Sequence, residues 1–279
     1  MKPPAPVLRI APITRGAPEL AVTASVLLHL MGRGLRVAIL RRGRGPARRV
    51  DAGDGSAPAG ARLLSAFAPV WTGHEASEAC SAAAAGGVLV DCGPGAIPAS
   101  SAFTLMVADA ADLAAGRLPW PLGPLVLPRR GIPRGAATCL VGPSRVRAAA
   151  LDRWADALPD VLEAELTPLE TGMDWRDMPV LAFAGGADRH AFFAALDGLG
   201  ARVLRRVSLD GDGTLPPAMA LRLSREAAEH GAQLVTTERD AVRLPASLNG
   251  QVLSIPMRAS LADPQALDRV LAPVVSPGC

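Results

Sequence analysis

Short apolar runs recur along this chain, and most are followed by a longer segment with apolar residues at helical spacing. Residues 7–13 form one such run, residues 20–31 form the longer segment, and residues 35–40 form the next run. A strand, a helix and a second strand in this order predict a βαβ unit with parallel strands. The alternation continues to the end of the chain. It therefore predicts an α/β fold, a parallel sheet with helices on both faces.

The later runs predict the remaining strands and a second, smaller α/β lobe. Strands are expected at residues 69–72, 88–90, 103–108 and 137–141, then at 180–183, 203–207, 233–236 and 252–255. Residues 41–60 are rich in Arg, Gly, Asp and Pro, which predicts a loop, and five prolines within residues 118–133 predict another. A new series of strands and helices begins near residue 161. We place the two domains at residues 1–145 and 146–279.

The composition narrows the classes of function. Aromatic residues make up 3% of the chain, and the formal net charge is +3, which permits an anionic partner without requiring one. No basic stripe with interleaved aromatics is evident, so we expect no nucleic-acid binding. The four cysteines lie far apart without metal-ligand spacing, which favours a reduced, cytoplasmic setting. No apolar run is long enough to predict a transmembrane segment.

Polar residues follow several of the predicted strands, where parallel sheets bind their ligands. Asp91 and Asp109 each come directly after or at the end of an apolar run, where a carboxylate can bind Mg²⁺ or simply cap a loop. Arg42 ends another run, and its guanidinium can clamp a phosphate or lie solvated in an Arg-rich loop. No metal-ligand set follows from these residues alone.

The segment of residues 236–242 carries two threonines at a strand end and a charged triplet at a helix start. Thr237, Glu238 and Asp240 are its site candidates. The competing interpretation is an ordinary helix N-cap, with acidic residues favoured in the first turn. From the chemistry of these residues alone, the N-cap interpretation is preferred.

Several segments together resemble the lipid A 4'-kinase family, the tetraacyldisaccharide 4'-kinases. Residues 180–186, VLAFAGG, resemble the family's AFAGIG segment, and residues 234–244, LVTTERDAVRL, resemble its LVTTEKDAVRL. In the first half, residues 42–45, RGRG, resemble the family's RGYG. The order of the segments is kept over nearly the whole chain.

This resemblance implies a P-loop NTPase-like fold and transfer of the γ-phosphoryl of ATP to the 4' hydroxyl of a lipid A disaccharide precursor. It implies ATP and Mg²⁺ as cofactors. It also implies a partner in the lipid A precursor or the cytoplasmic face of the inner membrane, and hence a cytoplasmic protein, with peripheral membrane association as an alternative. The resemblance does not identify a protein partner.

The chain departs from the family at the loop that grips phosphate. The family's GGTGKTP aligns with residues 16–22, so that the phosphate-binding Lys becomes Leu20 and the metal-binding Thr becomes Ala21. Pro18 has no backbone N–H, and Glu19 adds a negative charge. Lys2 is the only lysine among the 29 Lys and Arg residues, so no other lysine can complete the motif. The nucleotide-binding loop position covers Thr14, Arg15, Gly16, Ala17, Pro18, Glu19, Leu20 and Ala21.

Other catalytic motifs of the family are also altered. The family's DDGxQH corresponds to residues 91–96, where Asp91 remains and the His does not, and its DHH corresponds to residues 210–212. The family's GDE, which carries the catalytic Asp, corresponds to residues 53–55 with altered spacing to the next strand. Asp54 and Asp91 are therefore the candidate catalytic residues.

Two hypotheses remain open. The first is a pseudokinase with a degenerate Walker A loop, which has lost much or all of its ATP-dependent catalysis because phosphoryl transfer depends on positioned charge. The second is an active, divergent lipid A 4'-kinase in which Arg15 or Arg42 replaces the missing lysine.

Overall fold

The structure, a computed structural model, describes most of the chain. The described residues are 5–43, 45–51, 53–74, 77–83, 87–93, 103–116, 118–119, 122–126, 133, 135–154, 156–186, 189–209, 215–248 and 250–275. The motif positions 94–96 and 210–212 lie outside them.

Strands and helices alternate through the described residues. The strands are β1 Val7–Pro12, β2 Arg36–Arg42, β3 Arg48–Val50, β4 Val70–Gly73, β5 Gly87–Cys92, β6 Phe103–Asp109, β7 Ala137–Val141, β8 Val161–Pro168, β9 Pro179–Gly185, β10 Arg202–Leu209, β11 Gln233–Thr237, β12 Val252–Ile255 and β13 Met257–Leu261. The helices are α1 Glu19–Gly32, α2 Ala59–Leu64, α3 Ser77–Ala83, α4 Ala110–Ala115, α5 Ser144–Trp154, α6 Arg189–Gly198, α7 Pro217–Glu229, α8 Glu238–Ala241 and α9 Pro264–Val275.

The chain divides into two compact units, and the division differs from the expected one. The first unit comprises Met1–Glu165 and Ala259–Cys279, and the second comprises Leu166–Arg258. A boundary at 145/146 would fall inside α5 and would separate β8 from the sheet to which it belongs, and it misses the return of residues 259–279 to the first unit. Apolar periodicity does not reveal such a return, because it reports local structure and not which strands become neighbours.

The sheet that organises the first unit is mostly parallel. Its strand order is β13-β8-β7-β6-β1-β5-β2-β4-β3, with β3 antiparallel to β4. Val37 to Leu40 of β2 are all buried, as are all six residues of β5. Because successive side chains on a strand point to opposite faces, this continuous burial means that both faces of the sheet are covered.

Helix α1 crosses over between β1 and β2, as the sequence predicted. Gly34 follows it with a φ of 76°, donates to Met31 O at 2.9 Å, and the Leu35 N–H bonds Leu30 O at 3.1 Å. This pair of bonds is a Schellman ending, for which glycine is favoured because it adopts a positive φ without a Cβ clash. At its other end, α1 begins at Glu19, directly after the loop at residues 13–18 that follows the carboxyl end of β1.

The second unit has its own parallel sheet, of order β10-β9-β11-β12. Two apolar clusters cover it. One contains Phe192 and Leu196 of α6, and the other contains Leu223 of α7. The expected second α/β lobe is therefore present, over a shorter stretch than predicted.

Some short elements among the described residues were absent from the expectations. Strand β3 lies in the stretch predicted to be a loop, α4 follows β6 directly, and β13 lies at an edge of the first unit's sheet.

Candidate functional site

Three neighbouring strands, β1, β5 and β2, bring a carboxylate and two guanidinium groups together near the carboxyl ends of β5 and β2. Parallel pairing of β1 with β5 places Arg9 opposite Asp91, and β2, on the other side of β5, ends at Arg42. The Asp91 side chain is 1% exposed and the Arg9 side chain 0%. This cluster of Arg9, Arg42 and Asp91 is called the Asp91 cluster below.

Arg9 is held from several sides. Its Nη1 lies 3.3 Å from Asp91 Oδ1 and 3.2 Å from the carbonyl oxygens of Ile10 and Asp91, and its Nη2 donates to Gly93 O at 2.6 Å. Burial lowers the pKa of Arg9, and the Asp91 carboxylate opposes that effect. A buried guanidinium with these acceptors keeps its charge, so Arg9 supplies a fixed cation beneath Asp91.

Arg42 grips the same carboxylate with a fork of two nitrogens. Its Nε lies 2.8 Å from Asp91 Oδ1, and its Nη2 lies 2.5 Å from Oδ2. Hydrogen bonding to Asp91 raises the pKa of Arg42. Both oxygens of Asp91 therefore accept from guanidinium groups, in the bidentate geometry that makes such pairs strong.

A second ion pair lies at the start of α1. Arg41 Nη1 donates to Glu19 Oε1 at 2.7 Å, and Glu19 is buried at 7% exposure. Burial acts to lower the pKa of Arg41, and the Glu19 carboxylate more than offsets this, so the net pKa is raised. Cys92 is buried beside Arg41, and burial raises the pKa of its thiol to about 12. The position thus holds a closed, neutral pair and an unreactive thiol.

The backbone amides of the loop are bonded within the protein. The Arg15 N–H donates to Pro124 O at 2.9 Å, Gly16 to Asp112 Oδ2 at 2.6 Å, Ala17 to Thr14 O at 3.3 Å and Glu19 to Ala17 O at 2.8 Å, while Pro18 has no N–H. Such a loop binds phosphate by donating these amides to it. Here the amide donors at residues 15–19 have acceptors inside the chain.

Thr14 and Asp109 fix this loop to the start of α4. Thr14 Oγ1 accepts from the Asp109 N–H at 2.9 Å, and the Asp109 carboxylate caps α4 by accepting from the Asp112 N–H at 2.9 Å. The cap orients Asp112, whose own carboxylate accepts from Gly16. In these contacts the Asp109 carboxylate acts as a helix cap.

Leu20 of α1 packs against α2. A Cβ placed on Gly60 of α2 would lie 3.0 Å from Leu20 Cδ2 and 2.9 Å from Arg41 Nε. Leu20 is thus an apolar contact between α1 and α2, and Gly60 provides the space for it. Ala21 is the next residue of α1, and its carbonyl oxygen accepts from Ser25 Oγ at 3.0 Å.

Asp54 occupies a local turn away from these contacts. Its carboxylate accepts from the Ser56 hydroxyl at 2.6 Å and is paired with Arg48, and hydrogen bonding to Ser56 lowers the pKa of Asp54 to about 2. Among the described residues its partners are those of a turn, and it is not held by the Asp91 cluster.

The threonine-rich segment lies in the second unit and has structural contacts there. Thr237 caps α8 by accepting from the Asp240 N–H at 3.2 Å, and Asp240, 2% exposed, accepts from the Gly185 N–H at 2.8 Å. Glu238 accepts from Arg258 Nη1 at 2.5 Å. The two threonines and the charged triplet thus have structural roles: they cap α8 and connect it to β9.

Two negative findings apply to the described residues. No helix there has the length and apolarity that spanning a membrane requires. No group of three or more His, Cys, Asp or Glu side chains in the same residues has the arrangement of a metal site.

The structure thus gathers some of the expected residues and adds others. Asp91 and Arg42 meet, while the loop residues from Thr14 to Glu19 join a separate network with Asp109. Sequence reasoning did not select Arg9 or Asp112 as site residues. The sequence does contain one indication of Arg9 as a site residue, which is a charged residue inside the apolar run VLRIAP. It becomes informative only once β1 is known to lie beside β5, where Arg9 is opposite Asp91.

Comparisons with known proteins give a consistent family. A family model described as tetraacyldisaccharide-1-P 4'-kinase, LpxK, matches residues 1–276. The tetraacyldisaccharide 4'-kinase of Dinoroseobacter shibae is 36% identical over 289 residues, covering 97% of this chain and 84% of the relative. That of Rhodospirillum centenum is 35% identical over 293 residues, covering 98% and 84%.

A solved structure supports the fold. LpxK from Aquifex aeolicus, crystallised in complex with ATP, aligns with a TM-score of 0.66 and 16% identity, covering 99% of this chain and 90% of that one. At this identity the likeness concerns the fold, which is an α/β P-loop NTPase-like fold, as predicted.

Proposed function

This chain belongs to the tetraacyldisaccharide 4'-kinase family of lipid A biosynthesis, and from that premise we propose that it is a pseudokinase, a member whose ATP-dependent phosphoryl transfer is largely or wholly lost. Its scaffold is that of the family. What has changed is the set of groups that would hold the nucleotide.

The bonding of the loop amides carries this proposal. Binding of a triphosphate at the loop would require breaking the Gly16 N–H bond to Asp112, and Pro18 provides no amide at all. A hydrogen bond to a charged group contributes about 1.5–3 kcal/mol, so each amide that is not offered weakens binding by roughly ten- to hundredfold.

Charge at the loop points the same way. An intact loop offers a lysine cation to the β- and γ-phosphates, whereas here the Glu19–Arg41 pair sums to zero charge. A phosphate oxygen about 4 Å from the Glu19 carboxylate would be repelled by about 4 kcal/mol per pair of unit charges near a protein surface. The positive charge of Arg41 offsets that repulsion, but the pair then has no net positive charge to attract a phosphate.

The residues present do not fit the Mg²⁺ and ATP that the family implies. Asp91 is the acid expected to approach the metal, and both its oxygens accept from Arg9 and Arg42. A divalent cation there would face two guanidinium charges. Ala21 carries no hydroxyl for the metal.

The alternative is an active kinase in which an arginine replaces the lysine. Arg42 would have to release Asp91, which it grips through two nitrogens, in order to reach a phosphate. Arg15 is exposed at the loop and is the better candidate for this alternative. The present geometry supports the pseudokinase, since neither arginine occupies the position of Leu20.

Two measurements test the proposal. Isothermal titration of the full chain with ATP, with and without Mg²⁺, should give no detectable heat of binding, and expression of the chain should not rescue a bacterial strain deficient in lipid A 4'-kinase. A relative with the complete GGTGKTP loop is the positive control in both experiments. Rescue of the strain by this chain, at matched expression, would overturn the proposal.

A variant with the loop restored separates loss at the loop from loss elsewhere. It carries Ala17→Gly, Pro18→Thr, Glu19→Gly, Leu20→Lys, Ala21→Thr and Val22→Pro. If the loop alone prevents binding, this variant regains affinity for ATP while remaining inactive, because the Asp91 cluster is unchanged. Tight ATP binding by both the variant and the natural chain would contradict the proposal that the loop prevents nucleotide binding.

For what remains of the function, we propose binding of a lipid A disaccharide precursor at the cytoplasmic face of the inner membrane, without its phosphorylation. The family's substrate class supports this, as does the match of the chain to 84% of the length of the Dinoroseobacter shibae relative. Co-sedimentation of the chain with vesicles that contain the precursor, against vesicles without it, is the direct measurement; equal partition into both would exclude specific binding.

A further inference from the structure

We propose that the loop still builds an anion site and that the chain fills it with its own carboxylates, those of Glu19 and Asp112. On this view the two side chains take the place of phosphate oxygens, and neutralising them opens the site to a phosphate oxyanion. The inference rests on the proposed loss of nucleotide binding and adds its structural cause.

Asp112 is held as a ligand of the loop. Asp112 Oδ2 lies 2.6 Å from the Gly16 nitrogen. The backbone N–H of Asp112 is in turn held by the Asp109 carboxylate, which caps α4. A Cβ on Gly16 would lie 2.8 Å from that same oxygen. A side chain at residue 16 would therefore crowd the carboxylate in this position, which favours glycine there.

Glu19 is held in the same manner at the other end of the loop. It is the first residue of α1, a 14-residue helix, where the helix dipole favours a negative charge. Its partner Arg41, the next-to-last residue of β2, provides a largely buried cation. A cation and a helix start are what a phosphate oxygen would find there.

The donors and their occupants arise from different parts of the chain. Gly16 and Arg41 provide the donors: Gly16 lies in the loop after β1, and Arg41 lies near the carboxyl end of β2. Asp112 lies 96 residues beyond Gly16 in sequence, and Glu19 lies 22 residues before Arg41. Two separate acidic side chains therefore meet two separate donors at one loop, which a single adventitious ion pair does not explain.

The test uses the full chain with Glu19→Gln and Asp112→Asn combined. Both substitutions keep the size of the side chain and remove its charge. Inorganic pyrophosphate is the probe, measured by isothermal titration and by the shift in the thermal midpoint at constant ionic strength. We expect the double variant to bind it at least roughly tenfold more tightly than the natural chain does, as the recovery of one charge-assisted contact implies.

A matched control changes the same charge elsewhere. Asp197→Asn with Glu226→Gln releases Arg206 and Arg205, which are paired at the surface of the second unit. This control should bind pyrophosphate no more tightly than the natural chain. Equal gains in the two double variants would overturn the proposal, because they would report net charge and not a site at the loop.

The remaining outcomes separate this inference from the proposed function. If the loop variant is folded by circular dichroism and gains no affinity, the self-filled site is wrong while the pseudokinase proposal stands. If the natural chain binds pyrophosphate as tightly as the variant, the carboxylates do not block the loop. Rescue of the kinase-deficient strain would overturn the proposed function instead, whatever the variant does.

Discussion

Replacing Asp91 with asparagine should destabilise the first unit, because the buried guanidinium of Arg9 would lose its counter-charge. Asparagine keeps the shape of the side chain and one acceptor oxygen. It removes the charge that both Arg9 and Arg42 contact. The effect expected is therefore electrostatic, with little change in packing.

The magnitude follows from the burial of the pair. Breaking a buried ion pair by removing one partner costs about 3–5 kcal/mol. Arg9 would keep the carbonyl oxygens of Ile10, residue 91 and Gly93 as acceptors, so we expect the lower end, about 3 kcal/mol. For a unit of this size that corresponds to a fall in the thermal midpoint of roughly 6–12 °C.

The assay is a double-mutant cycle followed by thermal and urea unfolding. The variants are Asp91→Asn, Arg9→Met and the two combined. Since the combined variant buries no charge at this position, it should be more stable than the sum of the single losses predicts, by at least about 1 kcal/mol. Asp263→Asn is the matched control, because Asp263 is exposed and paired with Arg269 in the same unit; its midpoint should not change measurably.

Two results would refute the reasoning. One is an Asp91→Asn midpoint equal to that of the Asp263→Asn control. The other is strict additivity in the cycle, which would mean that Arg9 and Asp91 are not coupled and that the Asp91 cluster is not a charged unit.

Two further predictions concern other parts of the chain. Thr237→Ala should destabilise the second unit by about 1 kcal/mol through loss of the α8 cap, with Thr237→Ser restoring most of it, as urea unfolding would measure; equal stability of all three would remove the cap from the account. Because burial raises the thiol pKa of both Cys92 and Cys139 to about 12, both thiols should stay protonated and unmodified by N-ethylmaleimide in the native chain at pH 8 and react in urea. Peptide mapping by mass spectrometry checks this, and native labelling of either cysteine would count against its burial.

Much of the fold could be predicted from sequence because buried parallel strands are continuous apolar runs. Strands β7 and β12 have the bounds that the apolar pattern predicted. The pattern failed at β3 and β13, whose sequences RRV and MRASL lie at the edges of the sheet and need few apolar residues. An edge strand is defined by its hydrogen bonds to one neighbour, and its side chains carry little trace of them.

The candidate site could be predicted less well, because its contacts join residues far apart in the chain. Arg9 and Asp91 are separated by 82 positions, and Gly16 and Asp112 by 96. A local pattern locates the loop and the strand end. It does not indicate that a carboxylate from α4 reaches the loop, since that depends on β6 lying beside β1.

The division of the chain has a consequence for its synthesis on the ribosome. Residues 166–258 form a unit inserted into the other, so they are translated before the last stretch of the larger one. The closing contacts of the larger unit come last: the Ala259 N–H donates to Ser25 Oγ, and Asp268 on α9 binds His29 on α1. A domain folds as a unit once its residues have emerged from the ribosome. The inserted unit can therefore complete its fold during translation, whereas the larger unit cannot do so until residues 259–275, which include α9, have been synthesised.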